Sequence, residues 1–196
     1  MHTENCTYAT NLIGTKVPDM ELDAFHKNDI IKMNPSKSDG KWHILFFYPA
    51  DFTFVCPTEL EDMAELYETF QGLNTEVLSV STDTAFVHKA WYDNSDAIGK
   101  VKFPMLADPT GELCKHLGTY IADEGLSLRA TFIVDPEGVI KAYEMHDNSI
   151  GRNAQELLRK LQAAQFVAEN GDKVCPSNWQ PGGDTLTPGL DLVGKI

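Results

Sequence analysis

Arginine occurs only three times in this chain of 196 residues, at positions 129, 152 and 159. Basic side chains of both kinds number 16 against 29 acidic ones, a net charge of −13. That excess disfavours nucleic acid and anionic membrane surfaces as partners and is indifferent to small neutral molecules. The acids form no tail, which fits a solvated surface. No apolar run approaches the roughly 20 residues of a membrane span. Met1 to Gly14 has neither the basic start nor the apolar stretch of a signal peptide, so the expected location is cytoplasmic. Cysteine is scarce too: residues 6, 56, 114 and 175 are too few and too far apart for a secreted disulfide framework. Reduced or redox-active thiols are expected instead. There is no internal repeat, low-complexity tract or clear linker, and a 42% hydrophobic content suffices for the core of one domain.

Periodicity supplies the organisation. Residues 43–48 form a short apolar run ending at Pro49, as in a strand buried on both faces. Ala50 to Cys56 reads as a loop. From Pro57, the residues Leu60, Met63, Ala64, Tyr67 and Phe70 recur at helical spacing until Gly72. Thr75–Ser81 reads as a second buried strand, parallel to the first across a right-handed crossover. A helix is expected over 84–92 and a shorter one over 109–117. Two β-rich runs, 130–134 and 139–144, flank Asp-Pro-Glu-Gly and predict an antiparallel hairpin, which makes the sheet mixed. Asn153 is the expected cap of a helix reaching about Glu169. Residues 171–196 contain five Gly and three Pro, a composition suited to an extended arm, and Cys175 lies on it.

Cys56 stands at a helix start, where unpaired amides and the dipole favour an anion. The thiolate is the nucleophile, and a free thiol with pKa near 8.5 is only about 3% ionised at pH 7. A helix terminus gives about 0.3–1 kcal/mol. Glu59, Glu61 and Asp62 in the first turns are expected to repel a thiolate, so a cation must come from elsewhere in the chain. One guanidinium at about 4 Å is worth about 4 kcal/mol at an effective dielectric near 20, before desolvation. Arg159 falls in a solvent-facing helix pattern. Arg129 precedes a buried strand and Arg152 a helix, so those two are preferred. Thr53, three residues before Cys56, offers a hydroxyl as donor and acceptor toward the same pocket. A lone Cys beside a buried strand is ordinarily a small core hydrophobe; the surrounding string is what changes that reading.

Pro49-Ala50-Asp51-Phe52-Thr53-Phe54-Val55-Cys56-Pro57-Thr58-Glu59 resembles the active-site loop of the peroxiredoxins. The likeness extends through Ser81-Thr82-Asp83, His88-Lys89-Ala90-Trp91, Arg129-Ala130-Thr131-Phe132, Val174-Cys175-Pro176 and the final Leu190 to Ile196, and points to the typical 2-Cys group that includes the alkyl hydroperoxide reductase C subunits. The resemblance implies an α/β, thioredoxin-like fold with a mixed central sheet flanked by helices. Residues 1–170 would be the peroxidase domain and 171–196 the arm. It further implies that Cys56 attacks the hydroperoxide, Pro49 shields the thiolate, and Thr53 and Arg129 bind the peroxide oxygens, with Glu59 and Arg152 supporting them. Cys175 of a second subunit would capture the sulfenic acid of Cys56 as a disulfide. A homodimer follows, with a decamer of five dimers as its larger form. A disulfide reductase, either a flavoprotein or thioredoxin, would return the electrons, and no cofactor or metal is called for. Relatives prone to overoxidation carry a Gly-Gly-Leu-Gly loop and a C-terminal Tyr-Phe helix. Here Asp123-Glu124-Gly125-Leu126 stands at the loop, so a mobile arm and comparative resistance to sulfinic acid formation are expected.

Two other readings remain to be weighed. Strand, loop and helix with Cys at the helix start is also the layout of thioredoxin, but Cys56-Pro57-Thr58-Glu59 lacks the second Cys of a Cys-x-x-Cys pair. A non-enzymatic holdase assembly is the other. Cys114-Lys115-His116 has no partner pair at zinc-site spacing and reads as buried or incidental. Trp91 is expected to pack, under the active site or near the arm, and His88 to be exposed. Cys6 is assigned no function.

Overall fold

Three central strands are buried along nearly their whole length because both of their faces are covered. The computed structural model describes residues 11–195, so Cys6 and Ile196 lie outside it. Along the chain come β1 (Leu22–His26), β2 (Asp29–Met33), β3 (Trp42–Phe47), α1 (Cys56–Glu65), α2 (Tyr67–Gly72) and β4 (Thr75–Ser81). They are followed by α3 (Ala85–Asn94), β5 (Met105–Ala107), α4 (Glu112–His116), β6 (Tyr120–Ile121), β7 (Leu126–Ser127), β8 (Arg129–Val134), β9 (Ile140–His146) and α5 (Ala154–Glu169). Among the described residues seven strands form one sheet in the order β2-β1-β5-β4-β3-β8-β9, and β6 pairs with β7 separately. β3, β4 and β5 are mutually parallel neighbours, while the other pairs are antiparallel.

The side-chain period of two divides each central strand between two cores. Ile44 and Phe46 of β3, Val77 of β4 and Ile133 of β8 join one cluster with Leu60, Met63, Phe70, Trp91, Leu157 and Leu161 from the helices. Leu45, Phe47, Leu78, Val80, Phe132 and Val134 point the other way, to Leu113 and Cys114 of α4 and to Leu117 just after it. The expected parallel β3–β4 pair and the antiparallel β8–β9 hairpin are both present. Thr84 and Asn153 cap α3 and α5, their side chains accepting from the amides of Val87 and Glu156.

One expected element is divided. The helix read over 57–72 is two helices, separated at Leu66, where φ −94° and ψ 0° interrupt the regular turn while keeping Tyr67 and Phe70 facing the core. The β1–β2 hairpin went unread because Lys27 and Asn28 turn it with φ of 50° and 64°, without the glycine that signals such turns.

The site's position follows from strand register. Ala130 lies opposite Phe47, so Arg129 starts β8 beside the end of β3. Tyr48 prolongs that end by donating its amide to the Val80 carbonyl at 3.0 Å. Seventy-odd residues of chain separation thus become adjacency through one antiparallel pairing.

Candidate active site

Pro49 is buried where β3 ends, and residues 50–55 lead from it to α1. The Thr53 hydroxyl donates to the Ala50 carbonyl at 2.8 Å, which commits its proton and leaves its lone pairs free to accept. Phe52 holds φ +55°, a conformation uncommon for a bulky residue. Val55 precedes α1 without capping it through its side chain, and Pro57 sits in the first turn.

Cys56 is 0% exposed. Nη1 of Arg129 lies 3.3 Å from its Sγ and donates also to Oε2 of Glu59 at 2.8 Å. Arg152 grips Glu59 from the other side, Nε to Oε1 and Nη2 to Oε2, both at 2.9 Å, while its own backbone amide donates to Oε1 at 2.8 Å. Such bidentate pairing fits the planar fork of arginine to the carboxylate. Nη1 of Arg152 is used on the Ala130 carbonyl and the Thr131 hydroxyl, and its guanidinium stacks over the Phe46 ring at 3.5 Å. Burial alone raises the Glu59 carboxyl, but hydrogen bonds and charge from Arg152, and then the charge of Arg129, hold it below its ordinary value.

This corrects the expectation that first-turn acids oppose a thiolate. Glu59 turns away from solvent into two guanidiniums, and Glu61 pairs with Lys100. With a thiolate at Cys56 the four groups Cys56, Glu59, Arg129 and Arg152 sum to zero charge. Asn148, which sequence reasoning missed, aims Arg129: its backbone carbonyl accepts from Nε at 2.9 Å, and its side-chain oxygen from the Arg129 amide at 3.2 Å.

Cys175 is not among the groups around Cys56. It lies half-buried against α5, Sγ 4.0 Å from the Ala163 carbonyl. That is nine residues, or about 14 Å of helix rise, beyond Ala154 at the active-site end. Burial raises the Cys175 thiol, with Arg159 partly opposing. Arg159 serves the arm: Nη1 donates to the Trp179 carbonyl at 3.2 Å, and Trp179 packs on Phe166 with ring centroids 4.9 Å apart. Cys114 is buried and its thiol pushed up to about 12, chiefly by desolvation. Trp91 packs under the loop, near Tyr48 and Phe52.

His88, expected on the surface, is fully buried. It shares the inward stripe of α3 with Ala85 and Trp91, and its ring meets acceptors on both sides, Asp51 and the Leu106 carbonyl.

Residues 13–143 match the AhpC/TSA family, and residues 163–192 match the C-terminal domain of 1-Cys peroxiredoxin. The chain belongs to the AhpC/TSA family. It is 51% identical over 186 residues to alkyl hydroperoxide reductase C of Salmonella typhimurium, spanning 95% of this chain and all of the relative. The crystal structure of Enterococcus faecalis AhpC superposes with a TM-score of 0.83 at 57% identity, covering 85% of this chain and 100% of that one. Reduced Plasmodium vivax 2-Cys peroxiredoxin gives a TM-score of 0.87 at 31% identity, covering 93% and 96%. The protein is thus a peroxiredoxin, an oxidoreductase that reduces hydroperoxides with a thiol, on a thioredoxin-like fold.

The buried ion lattice of this peroxiredoxin makes Glu59 a stability determinant. Glu59→Gln removes the carboxylate that both buried guanidiniums share and is expected to cost about 3–5 kcal/mol at pH 7. Because the folded-state value lies below the ordinary 4.5, the carboxylate's contribution is complete above that pH and is lost as the pH falls through the depressed value. Urea unfolding from pH 7 to pH 3 should show the parent's advantage over Glu59→Gln narrowing once the pH drops below 4.5.

Proposed function

We propose that Cys56 is the peroxidatic nucleophile and Cys175 the thiol that resolves it. The observation that carries this reading is the Arg129 guanidinium 3.3 Å from the Cys56 sulfur, aimed by Glu59 and Asn148. The sulfur attacks the hydroxyl-bearing oxygen of the hydroperoxide; the O–O bond breaks as the S–O bond forms, leaving Cys56 as sulfenic acid. The departing alkoxide or hydroxide takes a proton and leaves as alcohol or water. Thr53, its own proton committed to Ala50, accepts from the attacked O–H group, while Arg129 stabilises the charge developing along the S–O–O line. Pro49 closes the site to water. Arg152 acts through Glu59. The thioredoxin-like alternative meets an obstacle here, since Glu59 stands where the second Cys of a Cys-x-x-Cys pair would be and is committed to both arginines.

A thiolate at Cys175 then displaces the sulfenic oxygen as water and closes a disulfide. The separation of the two cysteines within one chain favours a second copy as donor, with the first turn of α1 unwinding to expose the enclosed Cys56. Strand β9, at one end of the sheet order, supports a homodimer: among the described residues its outer edge has no partner strand, and Tyr143 and Met145 are exposed there, a template for a second β9. Five such dimers would make a decamer. Residues 171–196 are the arm that delivers Cys175. The disulfide is returned to thiols by a two-electron reductase, a flavoprotein or thioredoxin, in the cytoplasm. No helix among the described residues is long and apolar enough to cross a membrane.

Single-turnover trapping tests the assignment. Cys175→Ser, given excess hydrogen peroxide with dimedone present, is expected to consume about one equivalent and to carry the adduct at Cys56 by peptide mass spectrometry. The parent should instead form a dimer-sized band on a non-reducing gel. Sustained turnover by Cys175→Ser, or an adduct at another cysteine, would overturn the reading.

A further inference from the structure

Thr53 accepts from the substrate only if its hydroxyl proton goes to Ala50, and the Ala50–Asp51 peptide is pinned from several directions. The carbonyl of that peptide takes the Thr53 proton; its N–H, on the opposite edge, donates to Oδ2 of Asp83 at 2.8 Å. Asp83 in turn accepts from the Ser81 hydroxyl at 2.8 Å. The Asp51 side chain fixes the same residue a second time. Its Oδ1 accepts from the Tyr48 hydroxyl at 2.7 Å, and its Oδ2 lies 2.8 Å from Nδ1 of His88. Nε2 of His88 reaches the Leu106 carbonyl at 3.2 Å. A carbonyl can only accept, so Nε2 carries hydrogen. One proton therefore lies between Nδ1 and Oδ2, and the His88–Asp51 pair is neutral overall whether that proton rests on the ring or the carboxyl.

The His88 and Asp51 side chains are both 0% exposed, so each depends on the other for its hydrogen bonding. Helix α3 holds the loop twice, through His88 on Asp51 and through Trp91 against Phe52, with ring centroids 6.0 Å apart. Between those holds Phe52 keeps its left-handed backbone, a strain that persists only where the surroundings over-determine it.

We propose that Asp51, His88 and Asp83 are positioning residues for peroxide reduction, locking the Ala50–Asp51 peptide so that Thr53 faces the substrate as an acceptor. The inference rests on the peroxidatic reading of Cys56 and Thr53. The clamp acts on the oxygen cradle, whereas Arg129 acts on the sulfur, so its loss should slow peroxide while leaving Cys56 open to reagents that need no cradle.

The experiment compares the reduced parent with Asp51→Ala, His88→Ala, Asp83→Ala and Asp51→Asn. Hydrogen peroxide is the first probe, read by stopped flow. Iodoacetamide is the second, read as alkylation of the Cys56 peptide. The alanine variants are expected to lose at least about tenfold in the second-order rate with peroxide, each 1.36 kcal/mol of lost transition-state stabilisation being tenfold, and to stay within about twofold with iodoacetamide. Asp51→Asn keeps an acceptor for Tyr48 and offers an N–H to Nδ1 of neutral His88, so it should restore the peroxide rate to within about threefold of the parent. Asp83 is only half-buried, so its alanine variant keeps the test open should a core variant fail to fold. Parent-like peroxide rates in the folded alanine variants, equal losses with both probes, or an asparagine variant as slow as alanine would each overturn the proposal. A parent inert to peroxide would instead count against the function itself.

Discussion

Cys56→Ser is expected to reduce peroxide turnover to that of the buffer blank while leaving the fold in place. A serine hydroxyl stays un-ionised at neutral pH, even beside a guanidinium. The deeper reason is the bond formed. Attack by oxygen would exchange one O–O bond for another, whereas attack by sulfur breaks an O–O bond and makes an S–O bond, with sulfur giving up two electrons. Serine has no sulfenic acid to reach and nothing for Cys175 to capture. The buried hydroxyl can still meet Nη1 of Arg129, so the substitution should shift the melting temperature by only a few degrees. Peroxide consumption with excess dithiothreitol, alongside circular dichroism, checks both halves. Parent-like turnover would remove Cys56 from the mechanism.

Arg129→Met is the second large effect. At about 4 Å and an effective dielectric near 20, a guanidinium interacts with a thiolate by about 4 kcal/mol, the upper end of what the charge contributes before desolvation. At 1.36 kcal/mol per decade, the second-order rate with hydrogen peroxide should fall by about 10²–10³. Lysine should recover part of this, because a point charge cannot reach Cys56, Glu59 and the Asn148 carbonyl together as the planar fork does. Arg129 also contributes to the Glu59 lattice, so methionine should lower stability as well; the rate must therefore be measured well below the variant's own transition. A fall of less than about threefold would show that the helix start suffices to activate the thiol.

How much of this site was legible depended on whether a residue's type and its pattern pointed the same way. With three arginines in the chain, eliminating the one on a solvent-facing helix pattern left the two that the structure places on Glu59. Glu59 itself was misread on local grounds. An acid three residues into a helix normally serves the dipole and faces water, and only partners 70 and 93 residues away reverse that. His88 was a conflict of signals: its spacing between Ala85 and Trp91 places it inward, its polar ring suggests outward, and periodicity prevailed because Asp51 and the Leu106 carbonyl satisfy both ring nitrogens. The short β5 and the Lys27–Asn28 turn gave too little pattern to read.

From the sequence alone came the strand–loop–helix unit, the buried parallel strands and the loop that resembles a peroxiredoxin active site, because these rest on local periodicity and a contiguous string from Pro49 to Glu59. Tertiary structure decided what that loop can do. The antiparallel register that sets Ala130 opposite Phe47 carries Arg129 to Cys56, and the inward turn of α3 brings His88 beneath Asp51. Charge balance and hydroxyl orientation at the sulfur depend on distances between groups far apart in the chain, and those exist only once the sheet has formed.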